Sequence, residues 1–166
     1  MIAFISYSIS DSEHYVLTLL AQKLREKGFS VTSNYKQSSQ LPDFQTINAI
    51  KNADLFIGLV TASGNSTTRV YSELNQAFLH NRPAIFLAEE KVNLTSQIDN
   101  YPNTVRFNRY YPNLAIDEVN RRIQFSQAQP QQDNTLAWLI GGGVAAVALI
   151  SLLSSEKKLN SKKHEI

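Results

Sequence analysis

The sequence predicts an α/β fold built on a parallel β-sheet. Short apolar runs alternate along the chain with stretches whose apolar residues recur at helical spacing. Two of the predicted strands, Ala53–Thr61 and Ala84–Ala88, consist mostly of apolar residues, as is typical of strands that are covered on both faces. Because short loops connect strand to helix to strand, we expect a parallel sheet with helices on both faces.

The first predicted strand, Ile2–Tyr7, is followed at once by an amphipathic helix. Asp11 or Ser12 is suited to cap the start of this helix, and Gly28 occupies a typical position just past its end. The second strand is predicted at Phe29–Ser33, where polar and apolar residues alternate. The helix has a single apolar face, formed by Val16, Leu17, Leu19, Leu20 and Leu24.

The second half of the chain continues the alternation of strands and helices. A polar loop follows the second strand, and Asp43 is placed to cap a short helix. Pro83 separates a longer helix from the fourth strand. The remaining predicted elements are the helix Phe44–Lys51, the helix Val70–His80, the strand Thr104–Phe107 and the helix Leu114–Phe125.

The composition excludes several classes of function. The chain has 166 residues, of which 43% are hydrophobic, and 16 basic and 14 acidic residues give a net charge of +2. This balance, without a basic stripe, argues against a nucleic-acid partner. The absence of cysteine excludes disulfides, thiolate zinc sites and a cysteine nucleophile. The three histidines are scattered and lack metal-ligand spacing, so we expect no metal site.

The C-terminal part of the chain predicts a membrane anchor. We expect a domain at residues 1–125, a polar linker at 126–134, a transmembrane helix at 135–153 and a lysine-rich tail at 154–166. Residues 135–153 carry no charge, and their length matches the roughly 20 residues that span a bilayer as a helix. The alternative is a C-terminal helix packed on the soluble domain. The tail lysines alone would favour a cytoplasmic tail, but no export signal precedes the domain, so we expect the domain in the cytoplasm.

Ligands in open α/β sheets gather at the carboxyl ends of the strands, and the candidate residues lie there. Ser6, Tyr7 and Asp11 lie at or just beyond the end of the first strand, and Glu73 lies in the helix after the third strand. A carboxylate at that edge can stabilise or attack a developing sugar cation. The alternative is structural, because Glu73 can also favour the positive end of its helix and pair with Arg69 one turn before it.

Three motifs in order resemble those of the Toll/interleukin-1 receptor (TIR) domain family, bacterial type. The first is the strand end Phe4–Ser8 followed by Asp11, and the second is the strand approach Ile47–Asp54. The third is a serine-containing loop with Ser66 that leads to a helix carrying Glu73–Ala77 and then to a proline-led strand. The resemblance covers roughly residues 1–125 and implies a flavodoxin-like five-stranded parallel sheet in the order 2-1-3-4-5.

The resemblance also implies function. Many bacterial and plant TIR domains are NAD+ glycohydrolases or cyclases, often in antiviral defence, and use a glutamate at the position of Glu73. It therefore implies NAD+ as a substrate, with no separate cofactor, and self-association through TIR domains. The residues expected to bind the substrate are Ser6, Tyr7, Asp11, Tyr35, Ser66 and Arg69.

Two departures and two alternatives accompany this resemblance. Arg69 occupies a position where the enzymatic family often has Trp, and the loop after the second strand lacks the usual glycine. Other TIR domains are non-enzymatic adaptors that act only by binding one another. Nucleoside deoxyribosyltransferases also combine a similar sheet with a nucleophilic glutamate. The sequence leaves open whether the product is ADP-ribose or a cyclic signal, and what triggers the activity.

Overall fold

The computed structural model describes residues 1–33 and 40–128. The described residues form one parallel sheet in the order β2-β1-β3-β4-β5, which confirms the predicted fold class and strand order. The strands are β1 (Ile2–Ser8), β2 (Ser30–Ser33), β3 (Leu55–Val60), β4 (Ala84–Glu89) and β5 (Thr104–Phe107). The helices are α1 (His14–Glu26), α2 (Phe44–Lys51), α3 (Thr67–Leu79), α4 (Ser96–Asp99) and α5 (Pro112–Ala128).

The core consists of two apolar layers, one on each face of the sheet. Helices α1 and α5 pack on one face, against residues such as Ile5, Ile57 and Leu87. Helices α2, α3 and α4 pack on the other face, against residues such as Phe56 and Phe86. Because successive side chains of a strand point to opposite faces, neighbouring residues of β1 belong to different layers. This alternation decides which side chains at the end of β1 can meet Glu73.

The ends of the helices show where local signals decide structure. Gly28 follows α1 with a positive φ of 83°, and the Phe29 amide donates to the Leu24 carbonyl at 3.0 Å, a pairing typical of a glycine-terminated helix. Asp43 caps α2, as predicted, because its carboxylate accepts the Thr46 amide at 2.8 Å. The predicted cap at Asp11 or Ser12 is wrong in position. The turn Asp11–Glu13 is a 3-10 helix, and Glu13 is the residue before α1.

Several boundaries differ from the prediction. Helix α3 begins at Thr67, three residues earlier than expected, and α4 was not predicted because its four residues are too short to show a period. Helix α5 continues through residues 126–128, which the sequence had suggested were linker. Within residues 1–33 and 40–128, no helix is long and apolar enough to cross a membrane. The predicted anchor, residues 135–153, lies outside the described residues and stays a prediction.

Candidate active site

Glu73 lies on the buried face of α3. It shares this face with Val70, Leu74 and Ala77, which pack against the sheet, as the helical spacing of three and four residues requires. The residue as a whole has no solvent exposure (0%). An ionisable group on such an apolar stripe is uncommon unless it is paired. Its position therefore differs from that of a surface glutamate that merely favours the start of a helix.

The carboxylate of Glu73 accepts no hydrogen bond from any residue in the described part of the chain. Its ionic neighbour is Arg69, whose Nη1 lies 3.8 Å from Oε1, too far for a hydrogen bond. The Ser6 hydroxyl faces the same carboxyl group without reaching hydrogen-bonding geometry. Buried polar groups in proteins nearly always have partners, and an exception requires an explanation.

This environment changes the acidity of Glu73. Burial raises the pKa of Glu73 above its ordinary value, because the charged form loses its hydration. The Ser6 hydroxyl and the Arg69 charge lower the pKa in part, and the Asp43 charge raises it slightly. A buried carboxyl group with a raised pKa near the end of a strand is a typical feature of a functional site.

Arg69 connects Glu73 to the end of β1. Its side chain is buried, and Nη2 donates to the Tyr7 carbonyl oxygen at 2.6 Å. The guanidinium thus bridges the backbone of β1 and the carboxylate one turn further along α3. This ion pair follows the one-turn spacing that the sequence suggested. Arg69 therefore lies between the Glu73 carboxylate and the backbone of β1.

The structure brings Ser6, Arg69 and Glu73 together but separates Tyr7 from them. The Tyr7 side chain packs with the α1 and α5 layer on the opposite face of the sheet, and only its carbonyl oxygen reaches Arg69. Ser66 immediately precedes α3. Its amide donates to the Ser8 Oγ at 2.8 Å, and its hydroxyl donates to Asn65 Oδ1 at 3.0 Å. The side chain of Ser66 is thus engaged by its neighbour in the loop.

The side-chain contacts of the other two predicted binding residues, Asp11 and Tyr35, lie outside what the structure describes. Asp11 lies in the 3-10 turn that follows β1, so its backbone is near the carboxyl end of that strand. Tyr35 lies outside the described residues, together with most of the loop after β2. The predicted stacking of Tyr35 on a substrate ring stays a prediction.

A second buried charged cluster at the same edge of the sheet was not predicted. We call Glu13, Glu89 and Arg109 the Arg109 network. Arg109 Nε and Nη2 donate to the Glu89 carboxylate at 2.6 and 2.8 Å, and Nη2 lies 2.9 Å from Glu13 Oε1. Both carboxylates are almost fully buried. The network joins the start of α1, the end of β4 and the segment after β5.

The carboxylates of the Arg109 network are held in their charged forms. Burial alone would raise the pKa of Glu13, but hydrogen bonds from Ser63 and Thr61 and the charge of Arg109 keep this pKa below its ordinary value. The hydrogen bonds from Arg109 lower the pKa of Glu89 in the same way. A signal was present in the sequence, because Glu89 directly follows a predicted strand at the edge where ligands gather.

The two clusters differ in the chemistry they allow. Glu73 keeps both oxygen atoms available in a water-poor site, where a carboxylate can attack a sugar carbon or stabilise a developing cation. The carboxylates of Glu13 and Glu89 in the Arg109 network already accept hydrogen bonds and form ion pairs with Arg109. Residues 1–33 and 40–128 contain no group of three or more His, Cys, Asp or Glu residues that could hold a metal ion.

Comparison with known proteins bears on the fold. No protein-family model and no curated protein matches the sequence. Among solved structures, the chain is similar to the CMP N-glycosidase BcmB of Clostridium botulinum, with 23% identity and a TM-score of 0.55. The match covers 74% of this chain and 99% of that one. The likeness shows the fold.

A second similar structure contains the TIR domains of the activated Roq1 resistosome that directly recognises the pathogen effector XopQ. The identity is 14% and the TM-score 0.44, over 92% of this chain and 97% of that chain. A TM-score at this level carries no argument about activity or assembly. Membership of the TIR family therefore stays a prediction that rests on the sequence motifs.

Proposed function

We propose that this protein cleaves the N-glycosidic bond of a ribosyl nucleotide, with Glu73 as the catalytic carboxylate and NAD+ as the substrate. The observation that carries the proposal is the Glu73 carboxylate, which is fully buried and accepts no hydrogen bond from the described residues. A group in this state costs free energy in the folded protein. A positively charged ribose ring formed during bond cleavage would interact favourably with it.

The single carboxylate favours a substrate whose leaving group departs without a proton. In NAD+ the glycosidic nitrogen is already cationic, so nicotinamide leaves as a neutral molecule and needs no general acid. Among the described residues, Glu73 is accompanied by Arg69 and Ser6. The other buried carboxylates of this edge, Glu13 and Glu89, are bound by Arg109. A single carboxylate, without a second group that acts as an acid, is thus sufficient for cleaving the glycosidic bond of NAD+.

The proposed reaction breaks the bond between C1 of the ribose and the nicotinamide nitrogen. The bonding electrons go to nicotinamide, and Glu73 stabilises or captures the resulting ribosyl cation. Attack by water then gives ADP-ribose and a proton, whereas attack by a nitrogen of the adenine gives a cyclic product. The carboxylate is closed off from solvent in this structure, so the residues that cover it must move aside when the substrate binds.

A second candidate substrate is a nucleoside monophosphate such as CMP. The observation that favours it is the likeness in fold to a CMP N-glycosidase over nearly the whole of that protein. Cytosine is a poor leaving group unless it is protonated, so this reaction requires a proton donor. Glu73, with its raised pKa, is the candidate donor at this site. This proposal differs from the deoxyribosyltransferase-like alternative raised by the sequence, in which the glutamate is the nucleophile.

The decisive experiment incubates the purified full chain, at high concentration, with NAD+ and with CMP in parallel. Release of nicotinamide or of cytosine is followed by chromatography for the wild type and for Glu73→Gln, which keeps the shape of the side chain and removes its charge. Nicotinamide release that requires Glu73 supports the proposal, and cytosine release alone supports the second candidate. Equal release by the wild type and the variant rejects Glu73 as the catalytic carboxylate, and release of neither base favours a non-enzymatic adaptor.

We further propose that the protein signals in bacterial antiviral defence, in self-associated form, anchored by residues 135–153 with its domain in the cytoplasm. The uncharged segment and the TIR-like motifs support this arrangement. Clustering in the plane of a membrane would raise the effective concentration of the domains. Cell fractionation tests the anchor, because a full-length chain that stays soluble without detergent would contradict it. Protease treatment of spheroplasts tests the orientation.

A further inference from the structure

The loop of residues 61–66, between β3 and α3, is seated on the end of β1. The Thr61 amide donates to the Ser8 carbonyl oxygen at 3.0 Å, and the Ser66 amide donates to Ser8 Oγ at 2.8 Å. Gly64 lies so close to Ser8 that a Cβ atom there would be 2.1 Å from the Ser8 carbonyl oxygen. The Gly64 position therefore requires glycine, because any side chain would push the loop off the strand.

The Arg109 network holds the same loop from its other side. The hydroxyl groups of Thr61 and Ser63 both donate to the Glu13 carboxylate, the latter at 2.5 Å. The Ala62 amide donates to Glu89 Oε2 at 2.8 Å. Three consecutive residues of the loop are therefore attached to the two carboxylates that Arg109 joins. Without a cation between them, Glu13 and Glu89 would repel each other in a site almost free of water.

We propose that Arg109 is a positioning residue that fixes the 61–66 loop and, through it, the start of α3. Helix α3 begins directly after this loop, and the Arg69 amide donates to the Ser66 carbonyl oxygen at 3.1 Å. The arrangement of Arg69 and Glu73 is thus set by a helix whose first turn is held in place from outside. Ser66 itself makes no side-chain capping bond to that turn, so the loop contacts supply the restraint that a cap would otherwise give.

Arginine suits this role better than lysine. Its planar guanidinium donates two bonds to Glu89 and simultaneously reaches Glu13, which a single ammonium group cannot reproduce with the same geometry. The fixing of the loop stands on these contacts alone. Its consequence for catalysis rests on the proposed function, since it matters only if Glu73 acts on a substrate.

The primary test measures amide hydrogen exchange in the full-length protein, for the wild type and for Arg109→Gln. The informative amides are those of Thr61 and Ser66, because they donate to Ser8 and not to the mutated network. We expect their exchange to accelerate about tenfold or more relative to the amide of Ile57 in the core of β3, since local opening becomes easier. Unchanged protection of both amides would overturn the proposal.

The matched control is Arg106→Gln. Arg106 lies in β5, its side chain is exposed to the same extent (32%), and it pairs with Asp99 at 2.6 Å. Its Nη1 donates to the carbonyl oxygens of Val92 at 2.7 Å and Glu89 at 3.2 Å, so it contacts the Glu89 backbone but neither carboxylate of the Arg109 network. We expect its substitution to leave the exchange of Thr61 and Ser66 within about twofold of the wild type. A control that loosens the loop as much as Arg109→Gln does would show a general loss of stability and contradict a specific role.

Two further variants cover the case in which Arg109→Gln fails to fold. Ser63→Ala removes the hydrogen bond from the loop to Glu13 and the long one that Arg109 Nη2 donates to Ser63 Oγ at 3.5 Å, without leaving a buried charge unpaired, and we expect a smaller acceleration at Ser66. Arg109→Lys keeps the charge, and we expect protection between that of the wild type and that of the glutamine variant. The proposed geometry would be contradicted if the Ser66 amide kept its wild-type protection both in Ser63→Ala and in Arg109→Lys.

The consequence for the site is measured separately, by titrating the Glu73 carboxyl carbon with NMR. Because the loop sets where the first turn of α3, with Arg69 and Glu73, lies relative to Ser6 and the end of β1, we expect the Glu73 titration to shift in Arg109→Gln or Ser63→Ala and to stay unchanged in Arg106→Gln. If the wild type cleaves NAD+, we expect kcat to fall in the same variants in which the Glu73 titration shifts. A wild type without activity would reject the proposed function but leave the exchange and titration results to decide the role of Arg109.

Discussion

Glu73 and Glu89 are both buried carboxylates near the carboxyl ends of the strands, and their surroundings are opposite. Glu89 accepts two hydrogen bonds from Arg109 and one from the Ala62 amide. Glu73 accepts none from the described residues and faces Arg69 at 3.8 Å. The pKa of Glu89 is lowered, and that of Glu73 is raised. The comparison separates a carboxylate that organises the structure from one that is available for chemistry.

The difference follows from which groups each carboxylate can reach. Glu89 ends its strand, where backbone amides of a neighbouring loop and a long arginine side chain are within range. Glu73 lies within a helix, whose own amides are occupied by the helix, and packs among apolar residues. Folding therefore satisfies Glu89 and leaves Glu73 unsatisfied. The protein tolerates that cost at a helix position that faces the end of β1.

The largest expected effect is on activity. Glu73→Gln should reduce NAD+ cleavage by a factor on the order of 10³ or more, because the charge that stabilises the ribosyl cation is gone. Glu118→Gln, on the outer face of α5 where the carboxylate pairs with Arg121 and Arg122, should retain activity within about twofold. Turnover numbers from steady-state nicotinamide release check both. Comparable losses in the two variants would remove the distinction between Glu73 and a structural carboxylate.

The second expected effect is on stability, where Glu89 should matter more than Glu73. Glu89→Gln should lower the free energy of unfolding by about 2–3 kcal/mol, since charge-assisted hydrogen bonds are lost and Arg109 keeps only Glu13. Glu73→Gln should change it by less than about 1 kcal/mol, because no hydrogen bond is broken and a buried charge is removed. Urea unfolding at neutral pH provides the comparison. A Glu73→Gln variant as unstable as Glu89→Gln would contradict it.

The third prediction concerns the pH dependence of those stability differences. A lowered pKa in the folded state means that Glu89 contributes stability above the ordinary glutamate pKa and loses it as the pH falls through the folded value. The cost of Glu89→Gln should therefore shrink as the pH is lowered. A raised pKa has the reverse sign, so the contribution of Glu73 is favourable below its ordinary pKa and is lost as the pH rises through the folded value.

Glu73→Gln should accordingly become more stable relative to the wild type as the pH is raised through the folded pKa of Glu73. Unfolding curves measured at several pH values from well below to well above the ordinary glutamate pKa of about 4.3 follow the loss on the acidic side for Glu89 and on the basic side for Glu73. Stability differences for Glu73→Gln and Glu89→Gln that change with pH in the same direction would show that the two carboxylates do not differ as described.

The smallest expected effect comes from Ser6→Ala. The Ser6 hydroxyl lowers the pKa of Glu73 but lacks a hydrogen-bond partner among the described residues. Its removal should raise the pKa of Glu73 further and move the acidic limb of the pH–rate profile to higher pH. Stability should change by less than about 0.5 kcal/mol, because no bond in the folded state is lost. A fall in stability without a change in the profile would assign Ser6 to packing.

The sequence was sufficient to predict the fold and the pairing of Glu73 with Arg69. Apolar strand runs, Asp43 and Gly28 are local signals, and the structure confirms the elements that they predicted. The pairing of Arg69 with Glu73 was also predictable, because residues one helical turn apart meet whatever the rest of the fold does. These features depend on short-range geometry, which a single sequence carries.

The Arg109 network depends on contacts between distant parts of the chain. Glu13, Glu89 and Arg109 meet only because the sheet order brings the start of α1 and the ends of β4 and β5 together. The early start of α3 has a similar cause, since Ser8 supplies an acceptor for the Ser66 amide. The side chains of Tyr7 and Ser6 are separated for a different reason, and a role of Tyr7 in substrate binding stays a prediction. The two-residue period of a strand already places their side chains on opposite faces.

The strand order also determines when the sheet can form during synthesis. Strand β1 pairs with β2 on one side and with β3 on the other, all in parallel, so its second ladder is completed only after the ribosome has released residues up to Val60. Parallel strands joined through crossovers form slowly, because loop closure precedes the favourable contacts. Until then the apolar run of β1 has an open edge that can pair with other chains. Chaperone depletion should therefore affect this protein while it is being translated, before any mature domain exists.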